Sequence, residues 1–246
     1  MSLIVALAAL VAGLLIGITG IGGVLVVPAL TEAADVALDR AIAASMFGFL
    51  LTGGVATALH LGRTPISRGT LVALCVSAAA GAFAGAATLE ILPTTAVRIF
   101  IALLAIVSGI QAVVTPHAAD RALPGPAVLA VLGLIVGYGS AISGTGGPVM
   151  LIPILLLIGT PLVTAITLAL AAQVPIALAA TTVNAATGRL DWALGFALGV
   201  PLIAGAVVGA WLSRRLPARA LTFAVAGALV AIGVWYGYVA VTPVRG

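Results

Sequence analysis

The residues best placed to do chemistry occur twice. Thr19-Gly20-Ile21-Gly22-Gly23 and Ser143-Gly144-Thr145-Gly146-Gly147 each put three glycines into four positions just after a hydroxyl, deep inside an apolar segment. Each glycine disfavours a helix by roughly 1 kcal/mol relative to alanine, so both stretches read as breaks. A helix that restarts after a break presents unpaired N–H groups and the positive end of its dipole. Such an end binds anions, and successive glycine N–H groups can form a nest around one. Thr19, Ser143 and Thr145 add hydroxyls. Two such ends meeting near mid-membrane would make a neutral, donor-rich site for a small oxyanion. The alternative is that the glycines only let helices approach closely. Clustering, hydroxyls and duplication favour a site, whereas the pairs Gly81/Gly85 and Gly205/Gly209 read as packing.

Three further sets of residues are candidates for substrate contact or coupling. Arg63 and Arg189 each follow a glycine at the end of the second element of their half. As a pair they could offer fork-like donors to a sulfonate or carboxylate, or they could simply anchor loops at the interface. Gln173 lies beside Pro175 inside an apolar span, where a side-chain amide needs a partner and the proline frees a carbonyl. Gln173 and Asn184 therefore read equally as substrate contacts or interhelical bonds. Thr52 and Thr57 are weaker, because threonine often bonds back to its own helix. His60 is the one histidine near a span and the one candidate for proton coupling; an interfacial role is the plainer reading.

Other chemistries lack their residues. There is no intramembrane carboxylate pair for a proton relay. There is also no Walker motif, metal-ligand cluster or nucleophile triad, so neither an enzyme nor a cofactor is expected. Cys75 is the single cysteine and lies in an apolar run, which makes it a small packing residue. The net charge is +4 and all ten basic residues are arginines, scattered over many loops without a basic face. Nucleic acid is therefore excluded as a partner.

These candidates must be positioned by membrane elements. Hydrophobic residues make up 63% of the chain and charged residues 7%, against about 25% charged in a soluble domain. With a mean hydropathy of +1.35, the chain reads as an all-α, polytopic protein whose partner is the lipid bilayer. Its 246 residues suit about eight elements of roughly 20 residues. The N-terminus is apolar from Leu3 and is expected to be the first element rather than a removed signal peptide. Trp235, Tyr236 and Tyr238 suit an interfacial aromatic belt.

The elements fall into two repeats of four, residues 1–114 and 127–246, joined by a polar loop over 115–126 within one membrane domain. A shift of 124 places Gly13 on Gly137, Thr19 on Ser143, Gly20 on Gly144, Gly22 on Gly146 and Gly23 on Gly147. It also places Gly81 on Gly205 and Leu92-Pro93 on Leu216-Pro217. If the first and fifth elements span fully, the repeats are parallel; if they re-enter, each half crosses three times and the repeats are inverted. Two re-entrant segments divide the arginines six to four, with Arg63, Arg68, Arg121, Arg214, Arg215 and Arg219 on one side. The positive-inside rule favours this inverted arrangement over an even split. Paired Gly-interrupted segments in matching halves point to a transporter's binding site.

These features resemble the TauE/SafE family of sulfite and sulfonate exporters. The resemblance rests on the twin Gly-rich segments, the four-element repeat, and Gly188-Arg189-Leu190-Asp191-Trp192 running through Gly205 and Gly209 to Arg215-Leu216-Pro217. It covers essentially the whole chain. It implies a multi-pass carrier of the cytoplasmic membrane that exports a sulfur-containing anion, such as sulfite or an organosulfonate like sulfoacetate. The first half departs from the pattern, with Gly62-Arg63-Thr64-Pro65-Ile66 where the second has Gly188-Arg189-Leu190-Asp191-Trp192. An anion channel, or a carrier of a different small organic anion, would use the same helix ends. Both halves lie in one chain, so a single copy can build the site, and the glycine faces could equally support a homodimer.

Overall fold

The computed structural model describes residues 3–60, 66–114, 123–212 and 218–242. Among them the chain forms α-helices and two short 3-10 turns. The helices are α1 (Leu3–Thr19), α2 (Val26–Ala33), α3 (Leu38–His60), α4 (Arg68–Thr88), α5 (Thr94–Val114), α6 (Pro126–Ser143), α7 (Pro148–Leu157), α8 (Leu162–Ala186), α9 (Trp192–Leu212) and α10 (Ala218–Val241). Six windows are long and apolar enough to cross a membrane: Leu38–Val55, Arg68–Ile91, Thr94–Gln111, Pro126–Ser143, Leu162–Ala186 and Trp192–Leu212. The protein is a multi-pass membrane protein. Val76, Phe83, Val131, Val200 and Trp211 stay exposed on it, as expected of faces solvated by lipid tails.

Local chemistry sets the helix ends. Ser67 caps α4 by accepting a 3.2 Å bond from the Thr70 N–H, the preferred use of serine at that position. Asp191 caps α9 through the Leu194 N–H at 3.0 Å, which explains the Asp-Trp pair in that loop. Pro126 and Pro148 open α6 and α7, where proline has no N–H to lose. Gly144 ends α6 with φ +67° and its N–H bonded to the Ser140 carbonyl. That is the left-handed stop glycine tolerates best.

The helix pairing is unchanged when the halves are exchanged. α1 packs on α9 and α6 on α4, so the first helix of each half lies against the fourth helix of the other. α3 packs on α9 and α8 on α4, while α3 meets α8 and α5 meets α10. The halves are interlocked rather than side by side. Gly13 lies on Leu202 and Gly17 on Ala206, so α1 and α9 run the same way. Gly81 lies on Leu134 and Gly85 on Tyr138, so α4 and α6 do too. α5 and α10 run oppositely, with Gly109 on Ala226 and Gly233 on Ala102 and Ile106.

Both broken segments double back. Gly22 lies against Ala12, Leu15 and Ile16 of the helix it has just left. Met150 of α7 lies on Gly139 of α6 in the same manner.

Prolines inside helices leave carbonyls that side chains take up. Pro175 lies inside α8 and leaves the Ala171 carbonyl without its helical donor; the Cys75 thiol donates to it at 3.8 Å, and the Thr57 hydroxyl donates to the neighbouring Leu170 carbonyl at 2.8 Å. Thr57 thus bonds across helices rather than to its own. Thr52 does bond back, to the Gly48 carbonyl. Pro153 in α7 likewise opens Val149, whose carbonyl accepts from Ser108 at 3.0 Å.

One expected feature is corrected. Tyr236 is not part of an interfacial belt: it is fully buried, while Trp235 and Tyr238 are exposed. Successive helical residues point about 100° apart, and Tyr236 faces inward against the outer end of α2. Thr31 donates to its hydroxyl at 3.4 Å, and the Arg98 guanidinium lies 5.8 Å from its ring centre. Arg98 also pairs with Glu32 at 3.2 Å, so α2 is fastened to α5 and α10. At a shift of 124 the other half has Leu156 and Thr222 in place of Glu32 and Arg98.

Candidate functional site

The two breaks meet. A methyl group added to Gly23 would sit 2.5 Å from the Thr145 carbonyl oxygen. Each break also touches the arm that follows the other: Gly20 faces Ile152 of α7, and Gly144 faces Val27 of α2. Gly20, Gly144, Gly146 and Gly147 have φ of +76°, +67°, +80° and +108°. Only glycine adopts such values without strain, which is the physical reason for these residues.

The meeting point lies near mid-height of the bundle. Gly147 packs on Ile176 and reaches the Gln173 backbone, halfway along α8. Gln173 is buried and donates its amide to the Phe49 carbonyl at 3.0 Å, halfway along α3. Among the described residues, no hydrogen bond takes up the N–H of Gly22, Gly23, Gly146 or Gly147. The Ser143 hydroxyl donates to the Gly139 carbonyl at 2.7 Å and lies 2.9 Å from the Thr145 hydroxyl. All acidic and basic side chains of the described segments lie near helix ends or in connections. The centre is therefore neutral and rich in backbone donors, with electrostatics set by N–H dipoles.

The structure brings Gly20, Gly22, Gly23, Ser143, Gly144, Thr145, Gly146, Gly147 and Gln173 together. Thr19 ends α1 beside them; its side chain is outside the described set. Asn184 and Arg189 stand apart. Asn184 is eleven residues beyond Gln173 on α8, about 16 Å along a helix. Its side chain is fully buried, and neither amide atom has a partner among the described residues. His60 closes α3, about 16 Å from Phe49 by the same rise. Arg63 lies outside the described residues.

Arg189 is buried in the loop between α8 and α9, where it holds the end of α4. It donates to the Ala86 carbonyl at 2.8 Å and to the Thr187 hydroxyl at 2.9 Å. Glu90 approaches it at 3.8 Å but is 62% exposed. Arg189→Ala is expected to lower stability by on the order of 2 kcal/mol, as befits a lost charged hydrogen bond. Glu90→Gln should change little, because exposed ion pairs contribute at most about 1 kcal/mol. Thermal midpoints of the two purified variants check this; equal midpoints would remove the anchoring role.

Phe49 and Ser140 also belong to the centre but gave no local signal. Phe49 is one apolar residue in an apolar run, and its place shows only from its contacts with Gly23 and Gly146. Ser140 is fully buried one turn before the second break; its pairing with Gly147 depends on the chain doubling back.

Comparison with known proteins agrees with this architecture. No curated protein and no solved structure matches the chain. The family model described as sulfite exporter TauE/SafE matches residues 5–236, nearly the whole length. A doubled Gly-rich break inside an apolar helical bundle, together with that match, establishes that the chain belongs to the TauE/SafE sulfite exporter family of membrane transporters.

Proposed function

We propose that the chain is a secondary transporter that exports a small sulfur oxyanion or an organosulfonate such as sulfoacetate. The anion binds between the two breaks, and alternating access rocks one half against the other around them. The observation that carries this reading is the contact of Gly23 with Thr145, with four glycine N–H groups nearby unbonded among the described residues. Helix ends of this kind favour anions, and a centre without a strong base suits an anion that stays charged at neutral pH. We read the halves as inverted repeats. The opposite running of α5 and α10, which are equivalent helices of the two halves, and the doubling back at each break support this. Asn184 and Arg189 are read as later polar contacts at the end of α8, with Arg63 as the counterpart of Arg189 and His60 as a coupling residue. The buried, unpartnered Asn184 amide supports its part in this path.

The test is ligand stabilisation of the purified protein in detergent. The panel is sulfite, sulfate, sulfoacetate, taurine, a size-matched carboxylate and chloride. A ligand that binds only the native state stabilises it by about 2.7 kcal/mol at a hundred times its Kd. Sulfite or a sulfonate is expected to raise the midpoint, and Gly146→Ala to abolish the response. A flat response across the panel would remove the substrate class. Saturable uptake with counterflow in proteoliposomes then separates a carrier from an anion channel, which the same helix ends could build.

A further inference from the structure

We infer that the Phe49 side chain closes the break site and sets the size of anion it accepts. The inference rests on the reading of the breaks as the anion site and adds the residue that controls access to it. Phe49 is 1% exposed at the midpoint of α3. Its ring is wedged between the two breaks. A methyl on Gly23 would meet its Cζ at 2.9 Å, and a methyl on Gly146 would meet its Cδ2 at 3.0 Å. The ring covers the glycine faces on both sides at once, where the two broken segments converge. An anion seated there must displace it. A phenyl ring turns about two side-chain torsions, and its displacement breaks no hydrogen bond.

The rest of the residue is held while the ring is free of polar ties. The Phe49 carbonyl accepts the Gln173 amide at 3.0 Å, which pins the backbone of α3 to α8. At a shift of 124 Phe49 corresponds to Gln173 itself. The centre is therefore asymmetric: one half supplies a removable apolar cover, and the other supplies the polar group that fixes the hinge of that cover. A larger space beneath the cover would admit a larger anion.

The experiment uses the full chain in a Cys75→Ala background carrying Thr145→Cys, a buried reporter in the second break. Labelling by a small neutral methanethiosulfonate reagent is timed with Phe49 present and after Phe49→Ala or Phe49→Leu. The expected result is a labelling rate at least about tenfold faster in Phe49→Ala, with Phe49→Leu between. The leucine variant keeps the core apolar, so it reports even where alanine disturbs folding. In parallel, Phe49→Ala and Phe49→Trp in the native background are assayed in proteoliposomes for sulfite against a bulkier arylsulfonate. Alanine should shift the ratio toward the bulky anion and tryptophan away from it. An unchanged labelling rate in both variants, or an unchanged transport ratio, overturns the inference. The underlying site fails separately: if labelling accelerates but neither sulfite nor a sulfonate protects Thr145→Cys, the cover stands and the anion assignment falls.

Discussion

Gly23→Ala is expected to abolish transport while the protein still folds. Gly23 lacks a positive φ, so alanine is tolerated by its backbone and the effect is purely steric. The added methyl meets the Thr145 carbonyl at 2.5 Å and the Phe49 ring at 2.9 Å. The ring can turn, but the carbonyl belongs to the opposite break and can move only by separating the two. Overpacking of this kind costs about 1–3 kcal/mol. Placed on the contact around which the halves would rock, it shifts the balance of states by about five- to 150-fold. Gly54→Ala and Gly69→Ala are the controls, because a methyl at either meets nothing within 4 Å. Initial uptake rates in proteoliposomes, normalised to monodisperse protein, give the comparison. Transport by Gly23→Ala at the rate of the two controls would mean that the breaks need not touch during the cycle.

The parts of this architecture visible in the sequence are those encoded locally. Three glycines in four positions of an apolar segment are enough to announce each break, and the shift of 124 announces that there are two. Pro175 announces a kink and a free carbonyl. Its donor, Cys75, comes from α4, and Thr57 of α3 bonds the carbonyl beside it, so no spacing in the chain could assign them. Phe49 is invisible for the same reason: a phenylalanine among leucines and glycines has no distinguishing neighbour until the fold lays it between Gly23 and Gly146. Arg189 shows the converse. Its pairing with Arg63 by position offered a pair of binding forks, but the nearby end of α4 supplies a carbonyl that occupies one of its arms. Proximity in sequence groups Tyr236 with Trp235 and Tyr238, yet helical rotation turns it to the core, where it meets Thr31 and Arg98. Polar residues inside this bundle are thus specified by the partner helix more than by their own.

Gly13 and Gly137 make the strongest stability prediction, because they are the same position in the two halves. A methyl on Gly13 would lie 2.2 Å from the Leu202 carbonyl oxygen, and one on Gly137 would lie 2.0 Å from that of Ala78. Both contacts are backbone against backbone, where α1 crosses α9 and α6 crosses α4. Membrane helices associate by close packing rather than by a hydrophobic drive, so small residues at crossings carry the interaction. Gly137→Leu is expected to lower stability by more than about 3 kcal/mol, the upper end of ordinary overpacking, and Gly13→Leu should match it if the two crossings are equivalent. No neighbouring truncation can relieve either variant, since a carbonyl cannot be made smaller. Gly195→Ala offers the contrast. The atoms nearest its methyl all belong to the Phe47 side chain, the first at 2.7 Å, so Phe47→Leu should restore what Gly195→Ala loses, whereas Ala78→Gly should not restore Gly137→Leu. Size-exclusion profiles and thermal midpoints of the single and double variants decide the matter. Rescue of Gly137→Leu by Ala78→Gly would show that side chains, not backbones, form the α4–α6 crossing. Unequal losses at Gly13 and Gly137 would show that the two halves share a pattern of pairing but divide the stabilising work unevenly.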